Sequence, residues 1–145
     1  MKNFRKGIVA ILILALILTL SGCINKKPLV LKKSDTYIVI SVSNRQMQIT
    51  ENTTLMDYMS LLKQEEKLDF EIKNGMISSV NGIENPTDWS SCWMLYTSDE
   101  QNANLAWGKV EYEGKLYGSA MFGAESLIVK ESCLYIWVFQ EMSVE

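Results

Sequence analysis

The chain has 145 residues, of which 48% are hydrophobic and 21% are charged, and it contains no histidine. This length accommodates one domain once a targeting segment is set aside. The missing histidine excludes the commonest general base, the commonest neutral metal ligand and any Ser-His or Cys-His catalytic pair. With 17 acidic residues against 14 basic ones, the chain has no basic patch to bind phosphates, and we predict no nucleic-acid partner.

The first residues have the pattern of a secretory signal peptide. Lys2, Arg5 and Lys6 precede an apolar run over residues 7–20, which is interrupted only by Thr19. This run is shorter than the roughly 20 residues that span a bilayer comfortably. We therefore favour a secretory signal over a permanent N-terminal membrane helix, which remains the alternative.

The apolar run ends in Leu20-Ser21-Gly22-Cys23, which resembles a bacterial lipobox. That resemblance implies cleavage before Cys23 and a diacylglycerol on the Cys23 thiol. Because several acyl chains on one residue give a stable anchor, we predict a lipoprotein on the extracytoplasmic face of the cell membrane. The predicted segments are a signal peptide over residues 1–22, a lipidated cysteine and tether over residues 23–35, and a folded domain over residues 36–141.

The start of the predicted domain reads as a hairpin followed by a helix. Residues 36–42 are rich in β-branched side chains and predict the first strand, and residues 45–50 alternate as its partner. Thr54 and Asp57 have the spacing of a capping box. Leu55, Met59 and Leu62 then recur at helical spacing, which predicts an amphipathic helix of about three turns.

The second half of the chain predicts short strands joined by tight turns. Asn74-Gly75 is the strongest hairpin-turn signal, and Asn81-Gly82 starts a second turn. The further predicted strands cover residues 68–72, 76–80, 91–97, 109–112, 127–129 and 133–139. Residues 84–90 and 98–104 are predicted as polar loops, and residues 114–123 give no assignable pattern. The sum is a small α+β domain of short antiparallel strands in two sheets with one amphipathic helix.

The cysteines beyond the lipobox are Cys92 and Cys133. Outside the cytoplasm an even pair favours a disulfide, which we predict, with two buried free thiols as the alternative. Two cysteines without a histidine or a third nearby cysteine leave zinc coordination incomplete, so no metal site is predicted.

No residue pattern indicates catalysis. The carboxylates form no evident facing pair, and the chain has neither a phosphate-binding loop nor a nucleophile elbow. We therefore predict no catalytic residue, no enzymatic activity and no intrinsic cofactor. The many aromatic residues instead predict an outward apolar patch that suits a planar hydrophobic ligand or a protein partner.

The order of the predicted elements, the turn Ser79-Val80-Asn81-Gly82 and the strand Cys92-Trp93-Met94-Leu95 resemble the transcobalamin-like C-terminal domain over about residues 36–140. This family is similar to the β-domain of transcobalamin and intrinsic factor. The resemblance implies contacts with a corrin ligand from the turn and from the strand. The implied contact residues are Gly82, Ile83, Trp93, Met94 and Leu95.

Two functions follow as hypotheses. In the first, a lipid-anchored binding module captures cobalamin, another corrinoid or a similar small molecule and hands it to a vitamin transporter. In the second, the same aromatic patch serves a cell-surface adhesion or assembly module that binds a protein or cell-wall partner.

Overall fold

The computed structural model describes residues 30–45 and 47–142. The predicted signal peptide, the lipidated Cys23 and residues 24–29 of the predicted tether lie outside the described residues. Within the described ranges, no helix is both long enough and apolar enough to cross a bilayer.

The described residues form two antiparallel sheets and one helix, which confirms the predicted α+β class. The elements are β1 (Val30–Ser34), β2 (Tyr37–Ser41), α1 (Leu55–Gln64), β3 (Phe70–Lys73), β4 (Met76–Val80), β5 (Ile83–Glu84), β6 (Ser91–Thr97), β7 (Ala103–Tyr112), β8 (Lys115–Ala120) and β9 (Leu134–Glu141). The larger sheet has the order β1-β2-β9-β6-β8-β7, and the smaller sheet has the order β3-β4-β5.

Helix α1 begins at the predicted capping box. The Thr54 hydroxyl accepts a hydrogen bond from the Asp57 amide at 3.1 Å, and the Asp57 carboxylate accepts one from the Thr54 amide at 2.9 Å. These bonds satisfy two amides that a helix start otherwise leaves unpaired. The face of α1 that packs into the core consists of Leu55, Tyr58, Met59 and Leu62.

Strands β6 and β9 separate two apolar cores, because successive side chains on a strand point to opposite faces. On one face, Trp93 and Trp137 belong to the main core, which includes the buried face of α1. On the other face, Tyr96 and Ile136 pack in a smaller core. The central strands are therefore apolar on both faces.

The larger sheet is strongly curved. Three strands lie between β2 and β7 in the sheet order, yet the Tyr37 hydroxyl of β2 donates a hydrogen bond to the Glu111 carbonyl oxygen of β7 at 3.1 Å. The rings of Tyr37 and Tyr112 also stack with their centroids 6.3 Å apart. This contact closes the sheet over the smaller core.

The predicted N-terminal hairpin is wrong. Residues 30–34, predicted as tether, form β1, and β2 pairs with β1 on one side and β9 on the other. Both edges of β2 are thus occupied, and the described residues of this segment, 45 and 47–50, form no strand. Side chains hold that loop instead: Asn44 Oδ1 accepts from the Ile49 amide at 3.0 Å, and Thr53 Oγ1 accepts from the Thr50 amide at 2.9 Å.

Three predictions in the second half of the chain also change. The predicted loop over residues 98–104 ends earlier, because β7 begins at Ala103, and the unassigned residues 114–123 contain β8. Residues 127–129 make only a single bridge, Thr54 with Ile128, rather than a strand. Their backbone instead pairs with the first turn of α1, since the Leu127 carbonyl oxygen accepts a hydrogen bond from the Leu55 amide at 2.8 Å.

The two predicted hairpin turns in the smaller sheet are confirmed. Asn74 and Gly75 have φ angles of 54° and 76°, and Asn81 and Gly82 have φ angles of 48° and 80°. Two consecutive positive φ angles are the mark of the tight turn that matches the twist of a hairpin.

The predicted disulfide is wrong, and both cysteines are free thiols. Cys92 pairs with Gln140 in the β6–β9 ladder, whereas Cys133 immediately precedes β9. Seven residues of extended chain separate Cys133 from Gln140, which amounts to roughly 20 Å. A disulfide requires Cα atoms within about 7 Å of each other.

Candidate ligand groove between the two sheets

Strand β6 has one partly open edge. It pairs with β9 from Ser91 to Thr97, but with β8 only at Tyr96 and Thr97, because the chain leaves β8 after Ala120. A groove of about 330 Å³ lies beside the first half of β6, between the larger sheet, β4 and the start of α1.

The floor of the groove is apolar and buried. Its lining includes Ile77 of β4, Trp93 and Leu95 of β6 and Trp137 of β9, each less than 9% exposed. The indole Nε1 of Trp137 is buried without a hydrogen-bond partner among the described residues. A buried N–H that lacks a partner costs free energy.

The rim of the groove consists of large apolar side chains that remain in solvent. Met76 and Trp89 are each 53% exposed, Phe122 is 49% exposed and Met121 is 37% exposed. Glu125 is the one charged residue among the described residues that line the groove. The groove is therefore built to contact an apolar surface and not to recognise a charged group.

Asn85 joins the two sheets at the groove. Its side-chain Nδ2 donates to the Ile77 carbonyl oxygen at 2.9 Å, and its Oδ1 accepts from the Trp93 amide at 2.9 Å. Its own amide donates to the Ser78 carbonyl oxygen at 2.8 Å. Asn85 thus occupies part of the β6 edge that β8 leaves free and fixes β4 against β6.

The structure separates the predicted contact residues into two groups. Trp93, Met94 and Leu95 line the groove, whereas Gly82 and Ile83 are not among its lining residues. Ile83 contacts a residue of the groove indirectly, because its carbonyl oxygen accepts a hydrogen bond from Trp93 Nε1 at 2.8 Å. A Cβ added to Gly82 would meet nothing within 4 Å. Gly82 is therefore needed for the backbone conformation of the turn and not for close packing against a neighbouring group.

Sequence reasoning did not place Met76, Asn85, Trp89, Met121 and Phe122 at the site. Trp89, Met121 and Phe122 stand in segments without strand or helix periodicity, and a large apolar residue in such a segment has no core position to fill. A large apolar residue in a segment without periodicity is therefore the sequence feature that could have indicated these three site residues. Asn85 gives no such signal, since its role depends on how the fold places β4 and β6 on either side of it, although each partner is only eight residues away in the chain.

Cys92 is the one thiol among the described residues that line the groove. Burial raises the pKa of its thiol above the ordinary value, which keeps it protonated and weakly nucleophilic near neutral pH. Among the described residues, no group of three or more Cys, Asp or Glu side chains is placed to hold a metal ion.

Fold and groove together define a small α+β domain with an apolar groove at the junction of its two sheets. Comparisons with protein-family models, with curated proteins and with solved structures found no match to this chain. Membership of the transcobalamin-like family therefore stays a prediction from the sequence.

Proposed function

We propose that this chain is an extracytoplasmic binding module, anchored to a membrane by lipid at Cys23, which holds a small molecule in the groove. The observation that carries the proposal is the rim: Met76, Trp89, Met121 and Phe122 remain exposed around a buried apolar floor. Contiguous exposed apolar side chains beside a concave apolar surface are typical of ligand sites.

The size of the groove limits how the ligand enters. Its volume of about 330 Å³ is at the lower end of the range for small-molecule sites, roughly 300–1,000 Å³. A corrinoid, the ligand that the resemblance implies, is larger than this and would enter by one edge. The aromatic rim suits the apolar edge of a macrocycle. An edge-bound ligand also remains accessible to a vitamin transporter.

Two exposed tryptophans provide a matched test. Trp89 lies on the groove and is 53% exposed, while Trp107 is 64% exposed and does not line it. The full chain in phospholipid nanodiscs would be dialysed against cyanocobalamin, and retained ligand measured by its visible absorption. We expect W89A to weaken binding about tenfold, because an aromatic contact near the centre of a site contributes about 1–2 kcal/mol, and W107A to bind like the parent.

Two outcomes would contradict this function. If the parent retains no cobalamin, the corrinoid proposal fails. If W89A and W107A lose affinity equally, the groove is not the site. Circular dichroism of each variant checks that the fold is retained, which is expected because both side chains are exposed.

The adhesion or assembly function is the second candidate, and it too would use the aromatic rim. The observation that favours it is a further set of exposed apolar side chains on β7 and β8. Leu105, Trp107 and Leu116 are 58%, 64% and 56% exposed, which is more apolar surface than a small ligand requires. Under this function the parent in nanodiscs would sediment with purified cell wall, and W89A would not.

A further inference from the structure

Three sulfur atoms meet beside the first half of β6. The Sγ of Cys92 lies 3.5 Å from the Sδ of Met94 and 3.3 Å from the Sδ of Met142. Cys92 and Met94 are two residues apart on one strand, so their side chains share a face. Met142 follows β9, and its amide donates to the Ser90 carbonyl oxygen at 2.9 Å, which fixes its backbone next to the start of β6.

We propose that Cys92, Met94 and Met142 form a three-coordinate site for Cu(I). Thiolate and thioether sulfurs are soft ligands, and they select Cu(I) over hard cations such as Mg²⁺ or Ca²⁺. The prediction that the chain has no metal site considered cysteine and histidine ligands, and it left the thioethers out.

The two observed sulfur separations fit such a site after a small movement. A first-row ion bonds thiolate sulfur at about 2.3 Å, so three sulfurs in a plane around it are about 4 Å apart. The two observed distances, 3.5 Å and 3.3 Å, need to grow by roughly 0.5 Å and roughly 0.7 Å. Methionine has three rotatable side-chain bonds and adapts to such a change.

Charge and access also favour Cu(I). One thiolate and two neutral thioethers bring a single negative charge, which cancels the charge of Cu(I) and leaves a neutral site. A divalent ion would keep a positive charge in these apolar surroundings, which is costly. Cys92 is 8% exposed and Met142 is 42% exposed, so one methionine of the cluster is partly open to solvent beside the buried thiol.

Binding requires no change of oxidation state. The Cu(I) leaves a competing chelator, a bond forms between copper and the Cys92 sulfur, and the thiol proton passes to solvent. The site takes the metal alone and does not depend on an organic ligand in the groove.

The experiment is an anaerobic competition between the full chain in nanodiscs and bicinchoninate, whose Cu(I) complex absorbs visible light. We expect the parent to take one Cu(I) from the chelator, C92S to take none, and M142L and M94L to bind at least about tenfold more weakly. The control is C133S, which removes the other described free thiol and should bind like the parent. Leucine nearly conserves the volume of methionine, so these variants should fold.

The site is wrong if C92S or M142L binds Cu(I) like the parent, or if C133S abolishes binding. X-ray absorption at the copper edge of the loaded parent gives a readout that needs no variant. Three sulfur neighbours at about 2.3 Å are expected, and a first shell of nitrogen or oxygen would overturn the proposal.

Discussion

The indole N–H of Trp93 donates a hydrogen bond to the carbonyl oxygen of Ile83, with a nitrogen–oxygen distance of 2.8 Å. Trp93 lies on β6 of the larger sheet and Ile83 lies on β5 of the smaller one, so this bond joins the two sheets. The same indole packs against Phe139, with ring centroids 5.5 Å apart. Trp93 therefore holds the core together as well as lining the groove.

Because Trp93 has both roles, we expect W93F to lower the stability of the fold. Phenylalanine removes the hydrogen bond and leaves the Ile83 carbonyl oxygen without its donor, and it fills less volume. We expect a loss of about 2 kcal/mol in the free energy of unfolding. Urea denaturation followed by circular dichroism measures it. The matched control is W107F at an exposed position, where a change within about 0.5 kcal/mol is expected; equal losses in both would contradict the core role of Trp93.

Substitution of Gly82 tests whether this residue is needed for the turn or for contact with a ligand. Its φ of 80° lies in the left-handed region, which costs a side-chain-bearing residue roughly 1–2 kcal/mol. We expect G82A to destabilise the fold by about 1 kcal/mol and to leave cobalamin retention unchanged, because Gly82 does not line the groove. Urea denaturation and equilibrium dialysis test the two parts. A tenfold loss of cobalamin affinity in G82A would show that Gly82 contributes to the ligand site after all.

Gly118 is required by close packing within the larger sheet. A Cβ at this position would lie 2.9 Å from backbone atoms of Asn104, whereas a Cβ at Gly123 would meet nothing within 4 Å. We expect G118A to lower the free energy of unfolding by about 2 kcal/mol, since backbone atoms cannot move aside cheaply. G123A is the control and should be neutral or slightly stabilising, by up to about 1 kcal/mol. Thermal unfolding of both variants checks this, and similar melting temperatures would be inconsistent with the predicted clash.

The ion pair between Lys130 and Asp99 gives the fold a pH dependence. Lys130 Nζ lies 2.8 Å from Asp99 Oδ1, and the carboxylate is 5% exposed. Burial opposes ionisation of Asp99, but hydrogen bonds from Lys130 and Asn102 outweigh burial and hold the pKa of this carboxyl below its ordinary value. A lowered folded pKa stabilises the fold above the unfolded value of about 3.9, and this stability is lost as the pH falls through the folded pKa.

Replacing Lys130 should therefore matter at neutral pH and less in acid. We expect K130M to cost about 1–3 kcal/mol at pH 7, because it leaves a buried carboxylate without its cation. At pH 3 the difference from the parent should shrink, because Asp99 is increasingly protonated. Urea denaturation at the two pH values measures this. K67M, which removes an exposed ion pair with Glu65, should change stability by less than about 1 kcal/mol. A K130M penalty that is equal at both pH values would exclude the ion pair as its cause.

The elements that the sequence predicted correctly are those whose hydrogen bonds close within a few residues. The capping box of Thr54 and Asp57 is complete within one helical turn, and the Asn74-Gly75 turn needs only its own two φ angles. Strand β6, Ser91–Thr97, was also predicted, from a local run of apolar and aromatic residues, although its pairing with β9 is long-range. Such patterns are local, so they can be read without knowing the neighbours of a segment.

Tertiary structure decided which segments pair and which faces they bury. β2 pairs with β1 and β9, which leaves residues 45 and 47–50 without a strand edge to pair with. The antiparallel register of β6 and β9 places Cys92 and Cys133 at opposite ends of the ladder. The groove arises for the same reason, since β8 leaves β6 after two paired residues and Asn85 fills part of the gap. The sequence by itself determined the helix, the turns and the α+β class through short-range hydrogen bonds and periodicity. The groove and the sulfur cluster required long-range pairing, because strand register depends on the packing of residues that lie far apart in the chain.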